Sequence, residues 1–421
     1  MPADYRGRGG TVGKYNKQVV GLDLGSTKVS AVVGEVTLEG DLEVIGIGSR
    51  PSKGLRKGTI VDINSTVEVI LKVVEDAEMM AGTRIDAVYV GIGGGQVDSL
   101  PTEVSMELAG KEVTQRDMQQ VIEMARSQTP SDQYETLHVM PIQYRLDEEA
   151  GLANPIGRTG TKLGVSAQVI TASEPAIEML RKVLNQAKLG VQAIVAQPLA
   201  SARAVLTPDE RDMGVALLDI GGGTTEIAVY GAGTMRHVSG LVVGGNHVTH
   251  DLAVGLRTPV TEAERIKRQY GRALQSLIDT DDMIAVQGLG AKAIQLIPHK
   301  LIGEIIECRV EESFALAWER IHQQGLHASL SAGVVITGGA SVMPGMTQAA
   351  EAVFEMPVRL GLPAQISGLT DLVNTPMYAT GVGLALFGRD RLLAGETYDA
   401  DHRGLSGAFH RMTAWVQRFF E

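Results

Sequence analysis

At 421 residues, 44% of them hydrophobic, with a formal net charge of −11, the chain is long enough for two folded units and too acidic for its body to hold nucleic acid. Its single cysteine, Cys308, excludes an internal disulfide framework, suits a reducing compartment and reads as a small buried residue on a helix. No stretch approaches the ~20 consecutive apolar residues of a membrane span, and residues 1–17 are not expected to be a signal peptide.

Residues 1–17 are Gly-rich, with Arg6, Arg8, Lys14 and Lys17 against Asp4, and are expected to form a disordered tail. Residues 19–33, VVGLDLGSTKVSAVV, read as an apolar strand with Asp23 at its tip, a turn through Gly25, Ser26, Thr27 and Lys28, and a second apolar strand. A third strand (42–49) and a basic loop (53–58) follow. Asp62 then opens a helix to about residue 80, with Val67, Ile70, Leu71, Val74 and Ala77 at helical spacing.

A strand at 87–92 ends in the glycines 93–95, and beyond it the pattern changes. A polar strand (102–107), a helix capped by Thr114 and running to 127, and strands at 138–145 and 164–171 suggest a small strand-helix-strand-strand insert over roughly 85–163. Its loops are marked by Pro141, Pro155, Gly157 and Gly160. A helix at 174–188 is expected to be terminated by Gly190, followed by a strand at 191–195. Gln197-Pro198 then opens a helix to 206, with proline well placed at a first helical position. Gln197 falls at the mouth of the presumed cleft, where its amide either orients an attacking water or merely caps the helix.

Residues 214–230, GVALLDIGGGTTEIAVY, repeat the first hairpin. Asp219 ends an apolar strand, Gly221, Gly222 and Gly223 form the turn, and Thr224 and Thr225 lead into a β-branched strand. Two apolar-Asp-apolar-Gly runs point to two like domains facing one nucleotide. The glycines let backbone amides approach a phosphate, and a carboxylate at each tip suits magnesium held through water, because that ion keeps most of its hydration shell. A third turn, within 334–346, carries Gly338 and Gly339 and would admit the sugar and α-phosphate.

Further elements are a strand (237–243), a helix (248–256) with Thr249 and Asp251, and a helix (262–270) on which Glu264 and Lys267 share a face. That pair either hydrogen-bonds a ribose or forms a solvated ion pair. Residues 289–320 read as largely helical, 331–337 as strand, 345–354 as helix, and 378–387 as a small-residue helix suited to close packing. After a linker at 392–404, residues 405–421 place Leu405, Phe409, Met412, Trp415, Val416, Phe419 and Phe420 on one face and Arg411 and Arg418 on the other. Two of the six Phe and one of the two Trp lie in the last seven residues. A docked terminal helix would show the same spacing, but the linker, the aromatics and the cationic face are the marks of a helix lying in a lipid interface.

The two Asp-tipped hairpins, with Thr337-Gly-Gly-Ala, resemble the actin, sugar-kinase and heat-shock-chaperone ATPase superfamily. QPLASARAVL (197–206), VVGGNHVTHDLAVGLRTP (242–259), EAERIKRQYG (262–271) and the amphipathic terminus are similar to the bacterial FtsA family of cell-division proteins, over about 18–392 and the terminus. The resemblance implies an α/β, actin-like fold in which two ribonuclease-H-like domains flank a nucleotide cleft. The first would comprise 18–84, 164–206 and 366–391, and the inserted subdomain 85–163. The second would comprise 207–245 and 320–365, with a smaller lobe at 246–319.

The same resemblance implies that Asp23 and Asp219 orient magnesium and water. Gly25, Ser26, Thr27 and Lys28, facing Gly221, Gly222, Gly223, Thr224 and Thr225, would bind the phosphates of ATP. Glu264 and Lys267 would bind ribose, Gly338, Gly339 and Ala340 adenosine, and Gln197 takes the position of a catalytic Glu or Gln. Lys300 and Arg309 fall where the family binds the C-terminal peptide of FtsZ. The implied function is an ATP-binding protein, with at most weak ATPase activity, that polymerises and anchors FtsZ filaments. Its expected place is the cytoplasmic face of the inner membrane, on anionic lipid and among other division proteins. The alternative is a small-molecule kinase of the same superfamily.

Overall fold

The computed structural model describes residues 18–395 apart from 129–130, 280 and 291–293. The expected tail (1–17), most of the linker and the amphipathic stretch 405–421 lie outside the described residues.

Two sheets share one strand order. In the first, Leu42–Pro51, Lys28–Val36 and Gln18–Leu24 form an antiparallel meander, and Ala87–Ile92 and Gly190–Ala196 continue it in parallel beyond Gln18–Leu24. In the second, Thr234–Leu241, Thr225–Gly231 and Val215–Ile220 form the meander, with Val334–Thr337 and Val358–Leu360 as the parallel pair. The repeat seen in the hairpins is therefore a repeat of whole sheets. The central strands are covered on both faces, which is why Val215–Ile220 is an unbroken apolar run apart from Asp219, with all six residues buried.

Helices Gln197–Val205 and Ala379–Leu393 pack on each other and bridge the halves. The second is longer than the 378–387 expected, and its small residues allow a close approach. A β-carbon built on Gly383 would come within 1.8 Å of the Ala200 carbonyl oxygen, and one on Gly21 within 2.3 Å of that of Gly381. On the outer face of the first sheet, helix Ile63–Ala81 is capped by Asp62, whose Oδ1 accepts the Ser65 amide at 3.2 Å. The stripe expected on it shifts, since Thr66, Val69 and Val73 are buried with Ile70, Val74 and Ala77 while Leu71 is 48% exposed.

The insert differs from its expected bounds. Ala87–Ile92 belongs to the first sheet, whereas Lys162–Ser173 pairs with Val97–Glu107 and Tyr134–Leu146, so the insert begins after residue 92 and ends with that strand. Helix Gln115–Arg126 opens with a capping box between Thr114 and Asp117 and covers the insert's own core, in which Met118 and Val121 meet Leu163 and Val165. The chain enters the insert from the first sheet, yet its strand Val97–Glu107 hydrogen-bonds to Thr234–Leu241 at the edge of the second, with Ser239 opposite Asp98.

Three further expectations are corrected. Helix Glu174–Gln186 is ended by Lys188, at φ 59°, with the Leu189 amide bonded to the Leu184 carbonyl at 3.0 Å; Gly190 already begins the next strand. The stretch 289–320 is not helical throughout. A hairpin of Met283–Val286 with Gln295–Pro298 precedes helix His299–Gln323, pairing Ile284 with Ile297. Cys308 lies on that helix but is exposed.

Candidate functional site

Each hairpin closes the same way. The Gly25 amide donates to the Lys28 carbonyl at 3.0 Å, and the Gly221 amide to the Thr224 carbonyl at 2.9 Å. Asp23 and Asp219 therefore occupy equivalent places, one residue before the end of their strands, opposite Ser30 and Glu226. The two turns meet across the molecule. A β-carbon on Gly222 would come within 1.8 Å of Thr27 Oγ1, and one on Gly223 within 2.6 Å of Ser26 Oγ. Those glycines are thus required by the opposing turn, a reason that the isolated motif does not reveal.

The two turns open onto a cleft of about 690 Å³. Asp23, Gly25, Ser26, Thr27, Lys28, Gln197, Asp219, Gly221, Gly222, Gly223 and Thr224 line it, together with Glu264, Lys267, Gly338, Gly339 and Ala340. Thr225 does not. It is buried, and its hydroxyl donates to the Val243 carbonyl at 2.8 Å, so its duty is to fasten its strand to the loop that follows Leu241.

Asp219 is held by two hydroxyls, Ser201 Oγ at 2.5 Å and Thr380 Oγ1 at 3.0 Å, one from each bridging helix. Gln197 Nε2 donates to Asp23 Oδ1 at 3.1 Å. Lys28 Nζ donates to the Met377 carbonyl at 2.5 Å and lies 3.5 Å from the centre of the Tyr378 ring. On the far wall Glu264 Oε2 receives Thr249 Oγ1 at 2.6 Å and Lys267 Nζ at 2.7 Å, while its other oxygen receives Arg268 Nε at 2.7 Å. The Glu264–Lys267 pair is accordingly both an ion pair and part of the cleft wall. Burial pushes Glu264 up, but the bonds from Lys267 and Thr249 hold it below the usual carboxylate range. Gly338 sits at φ 88°, and a β-carbon there would come within 2.3 Å of Asp219 Oδ1.

The carboxyls behind the turns are short of positive charge. Burial pushes Asp23 up to about 6, with Lys28 opposing and Asp219 adding to the rise. Asp219 is likewise raised by burial, against the hydrogen bonds from Ser201 and Thr380. Burial also lowers Lys28 to about 8. A third acid, which the sequence reading passed over, completes the group. Glu226 is buried and lines the cleft, and its Oε1 accepts the Gly94 amide at 2.6 Å. Its Oε2 has no partner, and burial pushes the group up to about 8.

Three buried carboxyls served by one lysine make a site that a divalent cation would relieve. Among the described residues no three such side chains converge closely enough to ligate an ion directly. The donor set therefore suits a hydrated cation carried with a polyphosphate.

The residues expected to bind a partner lie on helix His299–Gln323. Lys300 Nζ pairs with Asp281 at 2.8 Å. Arg309 is held by both oxygens of Asp251, and its Nη1 pairs with Glu312 at 2.5 Å. Arg309 is thus already engaged within the fold. The residues expected to face lipid, at 405–421, lie outside the described residues. Among the described residues no helix is long and apolar enough to cross a membrane.

The family model described as "Cell division protein FtsA" matches residues 216–383, and that of the "SHS2 domain inserted in FTSA" matches residues 94–171. The cell division protein FtsA of Pseudomonas aeruginosa is 39% identical over 412 residues, covering 96% of this chain and 98% of that one. That of Escherichia coli K12 is 36% identical over 415 residues, covering 96% and 98%. Among solved structures, the PilM-PilN type IV pilus biogenesis complex covers 88% of this chain and 98% of its own at TM-score 0.62 and 18% identity. MreB 5 of Spiroplasma citri bound to AMPPNP covers 90% and 99% at TM-score 0.56 and 15% identity. At such identities the structures speak for the actin-like fold alone.

Proposed function

Because the chain belongs to the FtsA family of cell-division proteins, we propose that it binds ATP with magnesium in this cleft, self-associates, and holds FtsZ filaments to the cytoplasmic face of the inner membrane through residues 405–421. The observation that carries the nucleotide reading is the meeting of the two turns, Thr27 against Gly222 and Ser26 against Gly223, in front of Asp23, Asp219 and Glu226. The MreB relatives bound to ADP and AMPPNP, which share the fold, agree with it.

In this reading Gly25 to Lys28 and Gly221 to Thr224 take the phosphates, Glu264 and Lys267 the ribose, and Gly338, Gly339 and Ala340 the adenosine. Asp23 and Asp219 would hold the magnesium through its waters, and the ion supplies charge neutralisation at the phosphates. Gln197, already fixed to Asp23, stands with Glu226 against Gly93, and the Glu226 carboxyl would take a proton from a water only once ionised, which a cation in the cleft would favour by lowering its raised pKa. ATP acts chiefly as the ligand that fixes the two halves against each other.

The bilayer affinity of one short amphipathic helix is modest, and alignment of many copies on one surface multiplies it. The peptide of FtsZ would dock beside Lys300, with Arg309 participating only by exchanging Asp251 or Glu312 for the peptide. A kinase is less well supported, because among the described residues the cavity on the far side of Gln197 carries no carboxylate to take a proton from an acceptor. The deciding experiment compares the full chain with one ending at residue 404. The shortened chain retains ATP binding and ceases to sediment with anionic liposomes. Sedimentation that survives the truncation refutes the membrane role, and absence of ATP binding in both chains refutes the nucleotide reading.

A further inference from the structure

Behind Gln197, and bordering the phosphate turns through Leu24 and Gly58, lies a second cavity of about 230 Å³ between helix Glu174–Gln186, the hairpin at 55–60 and the ends of strands Gln18–Leu24 and Ala87–Ile92. Among the described residues, Gln197 alone lines both this cavity and the cleft. Its body is apolar, formed by Leu55, Ile60, Ile92, Ala176, Met179 and Leu180, and among the described residues no charged side chain lines it. A charged ligand would therefore lose its hydration with nothing to replace it. The volume exceeds the ~150 Å³ that encloses benzene and falls short of the ~300 Å³ at which drug-sized pockets begin, which limits the occupant to one or two rings.

The polar groups sharpen the choice. Gln197 Nε2 is committed to Asp23, so the acceptor Oε1 is the end left for a ligand. That oxygen is turned toward Gly93, where a β-carbon would come within 2.1 Å of it, and Gly93 is itself part of the cavity wall. Gly91 leaves room for the same side chain, its β-carbon position lying 2.8 Å from Gln197 Cγ. Ser173, at the cavity edge, uses no side-chain hydrogen bond to cap the helix that follows it. We infer that this cavity binds an uncharged aromatic heterocycle of indole size, whose ring N–H donates to Gln197 Oε1. The binding site stands on its own geometry. Its consequence for ATP turnover, through a Gln197 held from behind, rests on the nucleotide reading.

The test uses the full chain labelled at its Ile and Met methyl groups and titrated with indole, followed by NMR. Saturable shifts are expected at the methyl groups of Ile60, Ile92 and Met179. Indene, which has the same shape without the N–H, binds more weakly to the wild type, and Gln197→Leu removes the difference. Ala176→Phe, which fills the cavity, abolishes the shifts while retaining the thermal midpoint. No saturable shift in the wild type, equal binding of indole and indene, or shifts that persist in a folded Ala176→Phe chain would each overturn the assignment. These results do not depend on whether ATP binds.

Discussion

Glu226 and Gly94 stand 132 residues apart and are joined by a 2.6 Å hydrogen bond from the Gly94 amide to Glu226 Oε1. Gly94 sits at φ 70°, where the chain leaves the first sheet for the insert, and Glu226 sits opposite Asp219 in the second hairpin. One carboxyl of the cleft wall therefore touches the root of the insert with one oxygen, while its other oxygen is buried without a partner beside Gly240. Whatever alters that group is felt at both places.

Its ionisation gives the first prediction. The folded protein holds the Glu226 proton up to about pH 8, against an ordinary value of 4.5, and the Asp23 proton up to about pH 6. Because the folded state binds these protons more tightly than the unfolded chain, stability without ligand falls as pH rises through roughly 4.5 to 8. Glu226→Gln keeps an oxygen for Gly94 and removes the charge. Thermal midpoints recorded from pH 5 to 8 should decline less steeply in the variant. If ATP is hydrolysed, the same change lowers single-turnover rates by roughly 10²-fold.

The interlocked turns predict a compensating pair. Gly222→Ala drives a methyl group into Thr27 Oγ1, which lies 1.8 Å from where that carbon would be, and should weaken both folding and nucleotide binding. Thr27→Ala removes the obstructing hydroxyl, so the double variant recovers part of the loss. A double-mutant cycle read by thermal unfolding should show coupling of about 1–3 kcal/mol; additive effects would mean that the turns do not touch in solution.

Gly383→Ala tests the packing of the bridging helices. The obstacle is the backbone carbonyl of Ala200, which has no rotamer to change, so a loss of about 3 kcal/mol and a clear drop in the unfolding midpoint are expected. Gly339→Ala, whose nearest neighbour would lie 3.8 Å away, should stay within about 0.5 kcal/mol of the wild type.

The seam between the insert and the second sheet supplies the fourth. Ser99 Oγ accepts the Val238 amide at 2.8 Å and donates to the Val238 carbonyl at 3.0 Å. Ser99→Ala leaves a buried amide unpaired, at a cost of about 1–3 kcal/mol. Hydrogen exchange at Val238 should quicken, while exchange within strand Gln18–Leu24 is unchanged.

Much of this architecture is legible in the sequence. Both hairpins, the caps at Asp62 and Thr114, the proline opening at 197–198 and the cleft residues of the two turns follow from apolar runs and glycine placement. What escaped detection depends on contacts between distant segments. Nothing local distinguishes Glu226 from an outward-facing strand residue, and Thr225 looks like its neighbour Thr224 until the Val243 carbonyl claims it. The strand at 87–92 resembles the start of the insert because the change of pattern lies just beyond it, whereas its partner strands decide its sheet. The short hairpin before residue 299 has too few residues to show a period of its own.

A segment tethered by its ends to one half and stitched along its flank to the other behaves as a clasp. The Ser239–Asp98 pairing and the buried contacts around His237 mean that prising the two halves apart must either unpick that seam or drag the whole insert along. The gape of the molecule and the attitude of its most prominent appendage are therefore a single degree of freedom, and a neighbour that grips the appendage also feels how wide the jaws stand.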